Sequence, residues 1–263
     1  MKDPLGRPPA RLLVPAALAT LLLLVPLVAL VVSTPWSLLG EQLASRDLRL
    51  ALWLSVLTAT VAMLVCLVIG LPLAWVLARL EFPGRGLLRA LVTVPLVLPP
   101  VAAGVALMAA FGRNGLVGAP LRELTGLTLP YSTAGVVLAH TFVSLPFVVL
   151  AIEGALRSAR KEYDAAAATL GATRWWAFRT VTVPLAMPGI LAGMMLGWAR
   201  SIGEFGATIT FAGNYPGTTQ TMPSLIYVSM NSNPEAARSL ALVLLVFSVA
   251  VLVLLRDRWL ATP

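Results

Sequence analysis

One arginine and one glutamate, Arg200 and Glu204, lie four residues apart within an otherwise apolar part of the sequence. Residues at i and i+4 share one face of a helix, so the spacing predicts an ion pair within a single helix. The chemistry this offers is anion handling, with the guanidinium on an anion path and the carboxylate as its tether. The nearby hydroxyl groups are candidate donors to the same anion: Ser201, Thr208 and Thr210.

Two interpretations of the Arg200–Glu204 pair stay open. Either the pair only locks its helix, or it lies on the route of an anion. A translocation path must release its ion, so one arginine fits such a path better than a cluster that would trap the anion. Elsewhere, His140 is expected to form an interhelical hydrogen bond, with a proton relay as the alternative. Glu153 is expected to snorkel or to pair with Arg157 at i+4.

A second region with chemical potential is the polar stretch 157–184, which apolar sequence flanks on both sides. Its alanine-rich segment 165–170 predicts a short helix. Asp164 is expected to be the N-cap or a first-turn acid of that helix, where a negative charge suits the helix dipole. Gly171 is expected to end it as a left-handed residue. Five of the chain's 19 basic residues belong to this stretch: Arg157, Arg160, Lys161, Arg174 and Arg179.

A second short helix is expected after Gly171. Thr173 is its predicted N-cap, and Trp175, Trp176 and Phe178 lie along it. Pro184 is expected to begin or kink the apolar segment that follows. Small residues with aromatic side chains favour an elbow that docks a partner, since such surfaces combine close approach with a large contact area. The alternative is an interfacial segment with its tryptophans at the lipid headgroups.

The composition identifies the lipid bilayer as the solvent of this chain. Hydrophobic residues make up 59% of the sequence, charged residues 11%, and the mean hydropathy is +0.89. An ordinary soluble domain is therefore excluded. The length of 263 residues accommodates about six spans of roughly 20 residues. The single cysteine, Cys66, allows no intrachain disulfide and is expected to be a buried, inert thiol.

Six apolar segments predict an all-α polytopic membrane protein with six transmembrane helices. They cover about 12–32, 50–78, 88–111, 133–153, 183–211 and 237–255. The first is interpreted as an uncleaved span, since its apolar run exceeds that of a signal peptide. The Pro99–Pro100 pair is either a packing kink or a kink that shapes a cavity or gate. The outer loop 212–236 has room for a short helix over 222–230.

Basic residues give the orientation of these segments. With the N-terminus inside, thirteen basic residues fall on the cytoplasmic side and five on the outer side, with Arg200 within a span. The positive-inside rule therefore predicts that both termini and the 157–182 loop are cytoplasmic. Membrane insertion explains the net charge of +8, so no nucleic-acid partner is expected.

The sequence contains no Gly-x4-Gly-Lys-Ser/Thr phosphate loop and no cysteine and histidine cluster suited to a metal. It also lacks a Ser/His/Asp set outside the predicted spans. We therefore expect a non-enzymatic chain with no catalytic residues, no cofactor and no bound metal. Active transport would then need a separate ATPase.

Two stretches resemble type I ABC importer permeases. The coupling motif of that family is Glu-Ala-Ala, three residues, Gly, nine residues, Ile-x-Leu-Pro. The matching positions here are Ala166, Ala167, Gly171, Val181, Val183 and Pro184. Ala165 stands where the motif has its acid, so the contact is expected to rest on shape and on Asp164. The second stretch, from Ser201 to Asn214 and on to Tyr227, looks like molybdate and tungstate permeases and, more distantly, sulfate permeases.

The resemblance covers roughly 48–255 and implies the type I ABC importer permease fold. It implies a homodimer in the bacterial plasma (inner) membrane, two ATP-binding cassette subunits at the cytoplasmic face and an extracytoplasmic oxyanion-binding protein. Residues 1–47 would hold the N-terminal tail, first helix and outer loop, 48–255 the transport core and 256–263 a short tail. The elbow residues expected to couple the chain to the ATPase are Asp164, Ala166, Ala167, Gly171, Arg174, Trp175, Phe178 and Pro184.

The implied function is import of a tetrahedral oxyanion, molybdate or tungstate. A sulfate or thiosulfate permease is the alternative within the same family. An ion-coupled secondary transporter is the alternative from another class, but it would be expected to carry intramembrane acids or internal repeats. A membrane protein of structural or assembly role is a third possibility. Membrane lipid is an expected partner in every case.

Overall fold

The computed structural model describes residues 10–158 and 161–260, and every regular element in these two ranges is helical. A π-helical turn, Phe178–Thr182, joins the ninth and tenth helices. The helices are α1 (Ala10–Ser33), α2 (Trp36–Ala44), α3 (Arg46–Arg79), α4 (Arg85–Val97), α5 (Pro100–Phe111), α6 (Gly118–Thr125), α7 (Thr133–Ser158), α8 (Lys161–Thr169), α9 (Arg174–Ala177), α10 (Val183–Ile202), α11 (Gly206–Ala212), α12 (Met222–Ser232) and α13 (Pro234–Leu260).

Within the described ranges, five helical stretches are long and apolar enough to cross a membrane. They are Arg11–Ser33, Arg46–Arg79, Thr133–Ser158, Arg174–Ile202 and Pro234–Val251. A bent pair formed by α4 and α5 brings the number to six if the pair counts as one span. The chain is thus an all-helical, multi-pass membrane protein.

The predicted segment 88–111 is interrupted at the Pro99–Pro100 pair, where a kink was expected, and α4 and α5 meet there at an angle of 118°. Leu98 and Pro99 have extended backbones, with ψ of 129° and 139°. A residue that precedes proline is driven out of the helical region by the proline ring, and here Leu98 and Pro99 both precede one. The Pro99–Pro100 pair therefore breaks the helix rather than kinking it.

The predicted segment 183–211 also differs from the structure. Its helix begins earlier, at Arg174, and continues through the π-helical turn, in which the Val183 N–H donates to the Phe178 carbonyl. Pro184 is therefore continuous with the helix before it, in the first turn of α10. The same helix ends at Ile202, and a non-helical link at 203–205 separates it from α11.

Helix α7 lies at the centre of the bundle, where it packs against both α3 and α10. The largest apolar core lies between these three helices and includes Leu77, Val148, Ile152, Leu156 and Ile190. A second core, around the fully buried Phe211, joins α5, α7 and α11. Cys66 is buried in the first core, in agreement with the prediction for its thiol. By contrast, α1 is at the periphery with its apolar side chains exposed.

Candidate functional site

We define the elbow as residues 161–182. Its first half, helix α8, ends in a Schellman motif. The Gly171 N–H donates to the Ala168 carbonyl, and the Ala172 N–H donates to the Ala167 carbonyl, both at 3.0 Å. Gly171 has a φ of +82°, the left-handed conformation that such a motif requires at this position. The predicted role of Gly171 is therefore confirmed.

The helix starts earlier than the predicted segment 165–170. Helix α8 is described from Lys161, so Asp164 is its fourth described residue and not its N-cap, and the alternative of an acid near the first turn stays a prediction. The polar residues before the alanine run, Lys161 and Glu162, are good helix formers and extend the helix backwards. The side chain of Asp164 lies outside the described part of the structure, as does Arg160.

The second half of the elbow begins with the predicted cap. The Thr173 hydroxyl oxygen accepts a hydrogen bond from the Trp176 N–H at 3.2 Å, which satisfies one of the free donors at the start of α9. The helix that follows carries Trp175, Trp176 and, at its end, Phe178, as predicted. The expectation of a helix–turn–helix elbow is therefore confirmed.

The two tryptophans line different cavities. Trp176 lines a cavity of about 560 Å³ together with Ala167, Leu170 and Gly171. Trp175 instead stacks on Phe178, and the two rings lie in a groove of about 380 Å³ beside α3. Adjacent helical residues project about 100° apart, which explains the separation.

The groove beside α3 also takes in Arg174, Pro72, Trp75 and Val76. Here the Phe178 ring meets the Trp75 ring edge-on, with the ring centroids 6.1 Å apart. The predicted elbow residues thus divide between two surfaces. Ala167 and Gly171 lie on one, and Arg174, Trp175 and Phe178 on the other. Ala166 and Pro184 are exposed and line neither cavity.

The predicted Arg200–Glu204 ion pair is present, but its geometry differs from that of a pair within one helix. Arg200 Nη1 lies 2.5 Å from Glu204 Oε2, as the spacing predicts. Glu204, however, lies in the link between α10 and α11 and is not on the same helix as Arg200. Its second oxygen accepts a hydrogen bond from the Ala207 N–H at 2.7 Å. One buried carboxylate therefore joins the end of α10 to the start of α11.

The hydroxyl groups near this pair have different surroundings. Ser201 is buried and its Oγ lies 2.8 Å from Ser144 Oγ of α7. Thr210 donates to the Gly206 carbonyl at 2.8 Å, so its hydroxyl is engaged by its own helix. Thr208 is fully buried, and its hydroxyl has no hydrogen-bond partner within the described residues. Of the three, Thr208 has the hydroxyl that remains available.

His140 does not form the expected interhelical hydrogen bond. Its ring is buried, and neither nitrogen has a partner in the described ranges. One turn further along α7, Ser144 forms a hydrogen bond with the Ser201 hydroxyl of α10. That hydroxyl group is therefore not a partner of His140. Sequence spacing alone does not reveal which residue of a helix meets the polar group of its neighbour.

The two helix breaks lie side by side. A Cβ atom added to Gly206 would lie 2.6 Å from Pro100 Cβ and 3.1 Å from the Pro100 carbonyl carbon. Only glycine allows the first residue of α11 to approach the first residue of α5 so closely. Glycine at position 206 therefore serves close packing between α11 and α5. The meeting of the two breaks was not predictable, since it depends on a contact between distant segments.

A second charged cluster was only half predicted. Arg157 Nε lies 3.0 Å from Glu153 Oε1, which confirms the expected i, i+4 pair. The same carboxylate oxygen also accepts a hydrogen bond from Arg89 of α4. Arg89 is 64 positions away in sequence, and helical spacing gives no signal for a pair of that kind. Among the described residues, no group of three His, Cys, Asp or Glu is arranged to hold a metal.

The loop 212–236 contains the predicted short helix, α12, which runs from Met222 to Ser232. Its first N–H, that of Met222, donates to the Ser55 hydroxyl of α3 at 2.8 Å. The Thr133 hydroxyl donates to the Thr218 carbonyl at 2.9 Å. The loop is thus fixed to α3 at Ser55 and to the first residue of α7.

Comparisons with known proteins agree with this architecture. Residues 70–262 match the family described as binding-protein-dependent transport system inner membrane component. The molybdenum transport system permease protein ModB of Mycobacterium bovis is 46% identical over 244 residues, which are 92% of this chain and 90% of that protein. The sulfate transport system permease protein CysT of Escherichia coli is 38% identical over 236 residues, 88% of this chain and 85% of that protein.

A solved structure shares the fold at low sequence identity. It is that of a bacterial alginate ABC transporter in complex with an alginate pentasaccharide-bound periplasmic protein. The TM-score is 0.74 at 16% identity, and the match covers 96% of this chain and 95% of the other. At this identity the likeness concerns the fold alone.

Proposed function

Since the chain belongs to the family of binding-protein-dependent transport system inner membrane components, we propose that it is the membrane-spanning subunit of an ATP-driven importer of molybdate or tungstate. The observation that carries this proposal is the 46% identity to a molybdenum permease over 92% of the chain. The chain is a transport subunit and not an enzyme, and ATP hydrolysis resides in a separate subunit.

The broken pair α4 and α5 counts as one span in this proposal, which gives six spans. The thirteen basic residues on one side, against five on the other, orient both termini and the elbow toward the cytoplasm. The compartment is the bacterial plasma membrane. Residues 48–255 form the transport core, preceded by the N-terminal segment 1–47 and followed by the tail 256–263.

The elbow is the docking surface for the ATP-binding subunit. Its exposed apolar side chains support this role, since Leu170 is 88% and Trp176 52% exposed beside the 560 Å³ cavity. Exposed apolar groups clustered around a cavity are typical of a surface that another protein covers. Ala166, Ala167 and Gly171 give that surface its shape. Arg174, Trp175 and Phe178 hold the elbow against α3, and Pro184 continues it into α10.

The full transporter contains two copies of this chain, two ATP-binding subunits and an extracytoplasmic oxyanion-binding protein. A single arginine in the path suits transient contact with a doubly charged anion, because a site that binds tightly would not release it. Arg200 offers its charge next to the two helix breaks, with Glu204 as its tether. Ser201, Thr208 and Thr210 belong to the same proposed path, and Thr208 supplies the hydroxyl group that has no partner among the described residues.

Sulfate is the alternative substrate, since a sulfate permease is 38% identical to this chain. Uptake of radiolabelled molybdate and sulfate in a strain that lacks its own molybdate and sulfate permeases distinguishes the two. The proposal predicts that this chain restores molybdate uptake and that tungstate competes with it. Restoration of sulfate uptake alone would contradict the assignment. A tagged chain should also co-purify with an ATP-binding subunit.

A further inference from the structure

Three arginines and one buried glutamate meet at the end of the bundle next to the elbow. We call this group the elbow-side cluster; it consists of Arg85, Arg89, Glu153 and Arg157 together with the Leu77 carbonyl. Glu153 is only 4% exposed, whereas the side chains of Arg89 and Arg157 are 39% and 44% exposed. The carboxylate thus lies under the two guanidinium groups that it binds.

The hydrogen bonds of the cluster connect three helices. Glu153 Oε1 of α7 accepts from Arg89 of α4 and from Arg157 Nε of its own helix. Arg85 of α4 donates to the Leu77 carbonyl of α3 through Nε at 3.0 Å and Nη2 at 2.6 Å. The last carbonyls of a helix lack partners within it, so Arg85 also caps the end of α3. Helix α4 is therefore attached at this end to both α3 and α7.

Because of the position of α4, these contacts connect the elbow end of the bundle to the helix break. Helix α7 is described as far as Ser158, and the elbow follows in the chain from Lys161, so the elbow is covalently connected to the end of α7 through two residues. Helix α4 leads to the 118° break and, beyond it, to α5, which packs against α11 beside the Arg200–Glu204 pair. A rigid contact between α7 and α4 at the elbow end thus links the elbow to the helix break.

We infer that the Glu153–Arg89 ion pair transmits displacement of the elbow to the broken span formed by α4 and α5. The two residues are positioning residues for transport and do not touch the substrate. An ion pair suits this task, because a directional contact between two charged groups holds one register, whereas apolar surfaces can slide. The inference rests on the proposed function, in which an ATPase moves the elbow.

Two substitutions with the same change of charge separate transmission from stability. Arg89→Gln removes the ion pair between α4 and α7 but leaves Glu153 paired with Arg157, so no buried carboxylate is left without a partner. Arg157→Gln removes the pair within α7 and the 3.5 Å hydrogen bond from Arg157 Nη2 to the Leu77 carbonyl of α3, but leaves the ion pair between Glu153 and Arg89. A merely structural role predicts similar effects for the two variants. Transmission predicts an effect of Arg89→Gln alone.

The measurement is the amount of molybdate taken up per ATP hydrolysed by the full complex in proteoliposomes. Arg89→Gln is expected to lower this ratio at least about fivefold, the low end of coupling between distant sites, while ATP hydrolysis continues. Arg157→Gln should stay within about twofold of the unmodified complex, and Arg89→Lys, which keeps the charge, should recover part of the ratio. Equal ratios for Arg89→Gln and Arg157→Gln would overturn the inference.

Two further arms keep the result interpretable. If Arg89→Gln does not assemble, the exchange Arg89→Glu with Glu153→Arg restores an ion pair between the same helices. Recovery of assembly and of the ratio supports transmission, and recovery of assembly alone contradicts it. If the unmodified complex transports sulfate and not molybdate, the same ratio is measured with sulfate. The substrate assignment and the coupling contact can therefore fail separately.

Discussion

Replacement of Gly171 by valine tests the elbow, because the backbone at this position is left-handed with φ of +82°. A side chain at Gly171 would meet none of the described atoms within 4 Å, so the effect comes from backbone conformation and not from a clash. A left-handed conformation costs an L-residue about 1–2 kcal/mol, and a β-branched residue tolerates it least. The chain must either bear that strain or give up the two 3.0 Å hydrogen bonds of the Schellman motif.

A penalty of about 1–2 kcal/mol lowers the population of the native elbow relative to alternatives roughly five- to thirtyfold. We expect Gly171→Val to reduce molybdate uptake per ATP hydrolysed, since a misshapen elbow fits the ATPase poorly. Asparagine adopts the left-handed conformation more readily than valine, so Gly171→Asn should retain more of the coupling. Molybdate uptake and ATP hydrolysis are both measured on complexes of equal concentration in proteoliposomes.

Gly126 provides a matched control for this experiment. It ends α6 with φ of +74°, and a side chain there would also meet nothing within 4 Å. Gly126→Val therefore introduces the same backbone strain at a helix end distant in sequence from the elbow. Unchanged coupling in Gly171→Val, or an equal loss in Gly126→Val, would refute the argument for the elbow.

Two further substitutions test the membrane-buried site. Glu204→Gln keeps an oxygen that can accept the hydrogen bond from the Ala207 N–H, but it leaves Arg200 without the carboxylate 2.5 Å away. We therefore expect lower thermal stability and lower molybdate uptake. Unchanged values for both would show that the ion pair is dispensable. Gly206→Ala places a methyl group 2.6 Å from Pro100 Cβ. Overpacking of this kind lowers the free energy of unfolding by about 1–3 kcal/mol. Thermal unfolding compares this variant with Gly154→Ala, where a side chain meets none of the described atoms within 4 Å.

Local features of the fold were predictable because their causes are local in sequence. The apolar segments, the left-handed Gly171 and the Thr173 cap each follow from residue type and short-range spacing. The short helix α12 was predicted in the same way, within the loop 212–236. These features depend on backbone preferences and side-chain hydrogen bonds that act over a few residues.

The features that sequence did not predict depend on contacts between distant segments. The size of the bend at Pro99, the approach of Gly206 to Pro100 and the pairing of Arg89 with Glu153 all require the packed bundle. Helical periodicity shows which residues share a face but not which face meets which neighbour. The order of the charges along α7 predicted only the pair within that helix.

The most direct test of the proposed function is transport by the reconstituted complex. The chain, its ATP-binding subunit and its oxyanion-binding protein are placed in proteoliposomes that contain ATP at the face of the ATP-binding subunits, and accumulation of molybdate and sulfate is measured in parallel. We predict ATP-dependent accumulation of molybdate that tungstate suppresses, with little accumulation of sulfate. Accumulation of sulfate without molybdate, or molybdate uptake that does not require the ATP-binding subunit, would contradict the proposed function.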